Sequence, residues 1–239
     1  MSVTICIITI SSVGIFFSEG VVYAGENDVF LRDDFNDLKQ WEPLFFEKIK
    51  EHTVYDIENS GDEHYLKAES RASASGIVSR TQFNVFEYSA IRWRWKISNV
   101  YQNGNAMKKK GDDYPIRVYI IFQYDPDKAS FGKRIKYGLA KKMNGEYPPH
   151  SSLNYIWANR DHKDDVLTNT YAQDAKMILL QKGNVRAGMW IEEDVNVLDD
   201  YRRVFHEEPP AEARLAIMSD SDNTGESAIS YIDYIEVYK

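Results

Sequence analysis

The sequence predicts an all-β protein, a two-sheet antiparallel β-sandwich with one or two short helices. Three observations carry that prediction. Thirteen per cent of the 239 residues are aromatic, with 16 Tyr, 11 Phe and 5 Trp, and such side chains suit the pleated, half-buried surface of a sheet. Apolar and polar residues alternate along many short segments, the period of a strand with one face in a core. Turn signals separate those segments, the spacing of a sandwich or barrel rather than of βαβ units. The length fits one domain around one core.

Taken in order, residues 3–17 (VTICIITISSVGIFF) form an uncharged apolar run of signal-peptide length, too short for a comfortable membrane span of about 20 residues. Val22-Tyr23-Ala24 before Gly25 reads as a cleavage site, although no Lys or Arg precedes the run. We expect residues 1–24 to be a signal peptide and residues 25–239 the domain, exported to the periplasm or beyond a bacterial cell. No stable membrane span then remains. Cleavage removes Glu19 and Cys6, changing the net charge from −8 to −7 and leaving no cysteine. A disulfide framework, a thiolate nucleophile and a cysteine zinc site are thereby excluded from the domain.

Clear alternation marks strands at 66–68, 91–97, 116–124, 152–158, 175–180, 187–193, 213–219 and 229–238. Between them lie turn signals such as Asn59-Ser60-Gly61, Asn103-Gly104, Lys110-Gly111-Asp112 and Asn223-Thr224-Gly225. Residues 198–206 predict one helix, with Leu198, Tyr201, Val204 and Phe205 on one face. Asp199 or Asp200 is its expected cap, and Pro209-Pro210 forbids its continuation. A second short helix is expected near 131–142.

The most informative stretch is Ile91-Arg92-Trp93-Arg94-Trp95-Lys96-Ile97. Alternation puts Ile91, Trp93, Trp95 and Ile97 on a core face and Arg92, Arg94 and Lys96 on the other. In 116–124, Ile116, Val118, Ile120 and Phe122 form the apolar set, opposite Arg117, Tyr119, Ile121 and Gln123. If both strands lie in one sheet, Arg92, Arg94, Lys96, Arg117 and Tyr119 share a cationic face. Arginine forks suit carboxylates and phosphates, and tyrosine suits sugar rings. The alternative is a solvated face whose cations pair with local carboxylates. Trp190 and Glu192 share a face of the 187–193 strand, where Trp190 could stack on a sugar. These seven residues are the candidate ligand-binding set. The overall acidity argues against nucleic acid as a partner.

Two acidic constellations are candidate metal sites. Asp220, Asp222 and Asn223, before Gly225, resemble half of a calcium loop. Tyr231 stands where the closing glutamate would be, so an EF-hand is excluded and a hydrogen-bonded turn is the alternative. Asp33 and Asp34 near the domain's start and Asp233 in the last strand would approach each other if first and last strands pair. Calcium is the cation either set would take.

Catalytic signatures are missing. No G-x-S-x-G, H-E-x-x-H, G-x-G-x-x-G or P-loop occurs. The five histidines (His52, His64, His150, His162 and His206) are scattered. Glu192, Glu193 and Asp194 do not complete an E-x-D-x-x-E glucanase signature, because Val197 occupies its last position. A lyase built on Arg92, Arg94, Arg117 and Tyr119 remains open.

Several motifs carry a resemblance. Leu66-Lys67-Ala68-Glu69-Ser70, Ala72-Ser73-Ala74-Ser75, Trp93-Arg94-Trp95-Lys96, Asn196-Val197-Leu198-Asp199-Asp200-Tyr201-Arg202 and Asp220-Ser221-Asp222-Asn223-Thr224-Gly225 occur in that order. Over roughly 30–238 the chain resembles a family of exported bacterial proteins known only as a domain of unknown function, number 3047. One departure is Glu193-Asp194-Val195, where an arginine just before Asn196-Val197 would be expected. More loosely, Asp33-Asp34-Phe35 and Ile232-Asp233-Tyr234-Ile235-Glu236-Val237 are similar to the ends of jelly-roll carbohydrate-binding modules. That likeness implies a jelly-roll or concanavalin-like sandwich, a structural calcium near the chain ends and a glycan ligand.

The sequence therefore predicts an exported, non-catalytic module for an extracellular or envelope glycan, anionic glycans included, bound on a basic concave sheet face. The alternatives are a polysaccharide lyase or glycoside hydrolase on the same scaffold, and a structural envelope-assembly protein.

Overall fold

The computed structural model describes residues 28–61, 63–127, 137 and 147–239. The expected signal peptide and, Tyr137 apart, the second expected helix lie outside them. Among the described residues thirteen strands form two sheets (strand ranges in chain order: β1 Val29–Asp33, β2 Trp41–Leu44, β3 Val54–Ser60, β4 Glu63–Arg71, β5 Ala74–Asn84, β6 Ala90–Ile97, β7 Arg117–Phe122, β8 Ser151–Ala158, β9 Val166–Thr168, β10 Ala175–Lys182, β11 Ile191–Asn196, β12 Glu212–Asp220, β13 Ser227–Tyr238). A six-stranded sheet runs β11-β6-β13-β4-β3, with β1 also paired to β13. A seven-stranded sheet runs β2-β5-β12-β7-β8-β10-β9. The two face each other as a sandwich, as the alternating segments predict. Among the described residues no helix is long and apolar enough to cross a membrane.

The core lies between the sheets and is built from alternate strand positions. Ile91, Trp93, Trp95 and Ile97 of β6 are fully buried, and Val118, Ile120 and Phe122 of β7 meet them from the other side. Trp93 and Trp95 cross nearly edge to face at 5.4 Å, and Trp95 lies 5.8 Å from Trp157 of β8. Aromatic pairs at such separations add to the burial of their area.

Three details differ from the sequence expectation. The seven-stranded sheet is mixed, because β8 and β10 run parallel. Parallel neighbours need a long connection, and the intervening segment contains β9, which pairs antiparallel with β10 from outside. The predicted strand at 187–193 begins only at Ile191. Residues before it form a turn in which Gly188 takes a positive φ of 80°. The helix α1 spans Val197–Phe205, and its cap is Asn196, whose side chain accepts from the Asp199 amide at 2.9 Å. Asp199 and Asp200 sit inside the first turn, where they favour the positive end of the helix dipole. His206 ends the helix in the left-handed region.

Beyond the main core, the segment before β7 folds across the outer face of the seven-stranded sheet. Ala106 and Tyr114 pack there on Ile156, Leu167, Met177 and Leu179, a second buried apolar cluster. This covers one part of that face and leaves a groove beside it.

Candidate functional site

The cationic side of β6 faces outward, but its charges are matched. Arg92 donates to Asp194 Oδ2 from Nε at 3.0 Å and from Nη2 at 2.7 Å. It also reaches Glu236 at 3.4 Å and the Tyr238 hydroxyl at 3.0 Å. Arg94 donates to Asp233 at 2.9 Å and lies over the Trp190 ring. Lys96 Nζ sits 4.5 Å from the ring centres of both Trp190 and Tyr231. The flanking strands explain this: Asp194 on β11 and Glu236 on β13 are the direct cross-strand partners of Arg92, and opposite charges at that position attract. Glu192 accepts from the Tyr234 hydroxyl at 2.5 Å. Trp190 packs against Tyr65 at 5.0 Å. The surface is a lattice of ion pairs and cation–ring contacts rather than an open cationic platform.

Arg117 and Tyr119 do not share that face. They lie on β7, in the opposite sheet, so the proposed joint surface of Arg92, Arg94, Lys96 and Arg117 does not form. The alternation of β7 is as predicted, and it points Arg117 and Tyr119 away from the core into the groove on the seven-stranded sheet.

That groove encloses about 690 Å³. Its floor is Arg117 and Tyr119 of β7 with Met218 and Asp220 of β12. One wall is the segment after β2, with Phe45, Phe46, Glu47, Lys48 and Ile49; the other carries Asn169 and Tyr171. Asp112, Asp222 and Asn223 close one end. Phe45 and Tyr171 are 58% and 59% exposed. Phe45 stacks on His52 at 4.3 Å. The Tyr171 hydroxyl lies 2.9 Å from Asn223 Oδ1 and 3.0 Å from the Lys109 carbonyl, which holds the ring upright at the rim.

Most of the floor's charge is internally satisfied. Arg117 and Asp220 form a buried ion pair, and the Asp220 carboxylate also accepts from the Tyr114 amide at 3.1 Å. Burial works against the Arg117 charge, but Asp220, Tyr119 and Asp112 more than offset it, so the guanidinium stays a cation. Tyr114 and Tyr119 rings lie 4.7 Å and 5.5 Å from it. Among the described residues its Nε has no partner. Asp112 accepts from the Tyr114 hydroxyl at 2.9 Å, from Asn169 at 2.9 Å and from Thr170 at 3.4 Å. Asp222 is different. Burial, and then the neighbouring Asp113, push its carboxyl above the ordinary range.

The two metal candidates fare differently. Asp33 accepts from the Phe35 amide and the Trp41 indole, both at 2.7 Å. Asp34 pairs with Arg32 and Asp233 with Arg94. Strands β1 and β13 do pair, but with Asp33 opposite Ile235, so Asp33, Asp34 and Asp233 form no carboxylate cluster. Asp220 and Asp222 instead meet Asp113, with ligand atoms within 4.8 Å of one another. These residues fit a calcium cage poorly. Calcium takes six to eight oxygens, whereas Asp220 is spent on Arg117. Asp113 accepts from Asn223 Nδ2 at 3.0 Å and from the Thr224 amide at 2.6 Å. Asn223 therefore acts as a donor to Asp113, and the arrangement is that of a capped turn.

Sequence reasoning missed Phe45, Phe46, Asp112, Asn169 and Tyr171, which sit on segments with no periodic signal. The one sequence signal there is the adjacent aromatic pair Phe45-Phe46 followed by Glu47-Lys48.

A family described as "Protein of unknown function (DUF3047)" matches residues 39–236. No curated protein matches the chain. Among solved structures, it is similar to the family 11 carbohydrate-binding module of the cellulosomal cellulase Lic26A-Cel5E of Clostridium thermocellum. Identity there is 10%, the TM-score 0.44, and 90% of this chain and 95% of that chain are covered. A structure of the family 11 module from the same organism with a β-1,3-1,4-mixed-linked tetrasaccharide gives 13%, a TM-score of 0.43 and 86% and 92% coverage. The Trichoderma harzianum endoglucanase 3 from family GH12 gives 7%, a TM-score of 0.39 and 83% and 97% coverage.

Proposed function

The chain belongs to the DUF3047 family, and we propose that it is an exported, non-catalytic glycan-binding protein whose site is the groove over the seven-stranded sheet. The observation that carries this reading is the pair of exposed rings, Phe45 and Tyr171, set on walls either side of a polar floor. Sugars present apolar ring faces edged by hydroxyls, and concave sites with aromatic walls and a few fixed polar groups suit them. Export is supported by the uncharged apolar run at 3–17 and the small residues up to Ala24.

A binding role is favoured over hydrolysis by how the carboxylates are used. Glycosidases need two free carboxyl groups across the scissile bond. Here two of the four groove carboxylates, Asp112 and Asp220, are each engaged by two or more donors, and the other two, Asp222 and the exposed Glu47, sit on separate segments of the rim.

The test is titration of the purified domain against a panel of soluble polysaccharides by calorimetry, repeated for Phe45→Ala and Tyr171→Ala. Loss of about 1–3 kcal/mol of binding energy in each variant, with unfolding unchanged, is expected for aromatic contact residues. Binding that both variants retain at full strength would place the ligand elsewhere. Release of reducing or unsaturated ends from any panel member would replace the module reading with an enzyme.

A further inference from the structure

The same groove carries information about the charge of its ligand. Its residues include two cations, Lys48 and Arg117, and four carboxylates, Glu47, Asp112, Asp220 and Asp222. Arg117 is committed to Asp220, with which it forms a pair of no net charge. Lys48 is exposed at the wall, where its field is screened by solvent. Among the groove-lining side chains the carboxylates thus outnumber the cations, with Asp112 and Asp222 closing one end and Asp113 behind Asp222; Lys109 Nζ, 5.1 Å from the Tyr171 ring centre, is a nearby cation at that end. A concave surface with low-dielectric walls strengthens such a field.

We propose that the groove selects uncharged sugar units and excludes uronic-acid polymers; the proposal rests on the glycan-binding reading and adds the ligand class. An incoming carboxylate could take Arg117 Nη2 only by displacing Asp220 and leaving that carboxylate buried without its cation, a costly exchange; short of that exchange it meets the buried Nε, which has no partner among the described residues. It would also approach the Asp222 carboxyl, which has no ion-pair partner among the described residues and has Asn223 Nδ2, at 3.5 Å, beside it. An uncharged sugar meets neither barrier. The floor offers it the Tyr119 hydroxyl, which donates to the weakly accepting Met218 sulfur at 3.6 Å, so this hydroxyl can exchange a poor contact for a sugar oxygen. Tyr119 is accordingly the specificity-determining residue on the floor.

The experiment compares neutral glycans (mixed-linkage β-glucan, xyloglucan, mannan and dextran) with alginate and polygalacturonate on the intact domain. Ionic strength is set at about 20 mM and again at about 150 mM, because unscreened charges act furthest at low salt. Binding to at least one neutral glycan and none to the uronates at either salt supports the proposal. Tyr119→Phe should weaken the neutral ligand about five- to tenfold, the loss of one modest hydrogen bond, without moving the melting temperature. Asp222→Asn should raise uronate binding, most at low salt. Uronate binding as tight as the best neutral binding overturns the proposed selectivity and leaves the glycan reading intact. Absence of binding to every member of both groups overturns the glycan reading itself, and the selectivity with it.

Discussion

Asn159, at the end of β8, fills the space that any side chain on Gly104 would need. A Cβ there would stand 2.1 Å from Asn159 Nδ2 and 2.3 Å from its Cγ. The Asn159 amide uses that position to accept from the Tyr101 amide at 2.8 Å and to donate to the Asp113 carbonyl at 2.6 Å. One side chain thereby ties both ends of the segment that delivers Asp112 and Asp113 to the groove. Gly104→Ala forces this anchor aside and should cost about 1–3 kcal/mol, the scale of overpacking in a tight interior. Urea unfolding measures it, and a variant with the wild-type midpoint would show that the segment gives way without loss.

The Arg117–Asp220 pair makes a second, sharper prediction. Arg117→Met leaves Asp220 buried without its cation and should destabilise the fold by about 3–5 kcal/mol. Adding Asp220→Asn removes the stranded charge and keeps an acceptor for the Tyr114 amide, so the double variant should recover most of the loss. Additive effects in a double-mutant cycle would mean that the two groups do not act as a pair.

A pH effect follows from Glu193. Burial raises its carboxyl pKa, against the hydrogen bonds from Gln181 and Trp95 that lower it. Between the ordinary glutamate value and the raised one, the folded chain holds a proton that the unfolded chain has released. Stability therefore falls as pH rises through that window, and the penalty is complete above it. Glu193→Gln keeps an oxygen for the Trp95 indole, which now donates at 3.2 Å. Its melting temperature should match or exceed wild type at neutral pH, and the difference should vanish toward acid. Melting curves from about pH 4 to 8 decide it; a difference independent of pH would assign the effect to packing.

The outward face of β6 supplies a contrast. Arg94→Ala breaks one partly exposed pair with Asp233 and should change stability by no more than about 1 kcal/mol. Glycan affinity should not change, because β6 and the groove belong to opposite sheets. A drop in affinity comparable to that of Tyr171→Ala would return the ligand to the face of Arg92 and Lys96.

Local pattern made much of the sandwich legible. Period-two alternation assigned Trp93 and Trp95 to the core and Tyr119 to the outside, since a strand has only two faces. Which strands become neighbours depends on pairings between distant residues, and nothing within 91–97 or 116–122 encodes it. Pattern alone therefore lets Arg117 share a face with Arg92, whereas the two lie in different sheets. The groove was harder still. Phe45, Asp112, Tyr171 and Asp222 are far apart in sequence and sit on connecting segments with no period to read. The helix cap failed for a smaller reason: Asn196 and Asp199 are both good capping types, and the one that ends β11 wins because its backbone is already extended.

Strand β13, Ser227–Tyr238, carries a kinetic consequence. It runs through the middle of the six-stranded sheet, touching β6, β4 and β1. Val29 pairs with Tyr238, so the sheet closes a loop of nearly the whole domain. Contacts of such separation form slowly, because chain entropy is lost before they stabilise anything. Strand β6, which carries Trp93 and Trp95, lacks its inner neighbour until β13 arrives. Folding of that half must wait for residues 227–238, and its rate should be far more sensitive to substitutions in β13 than to those in β9 at the rim of the other sheet.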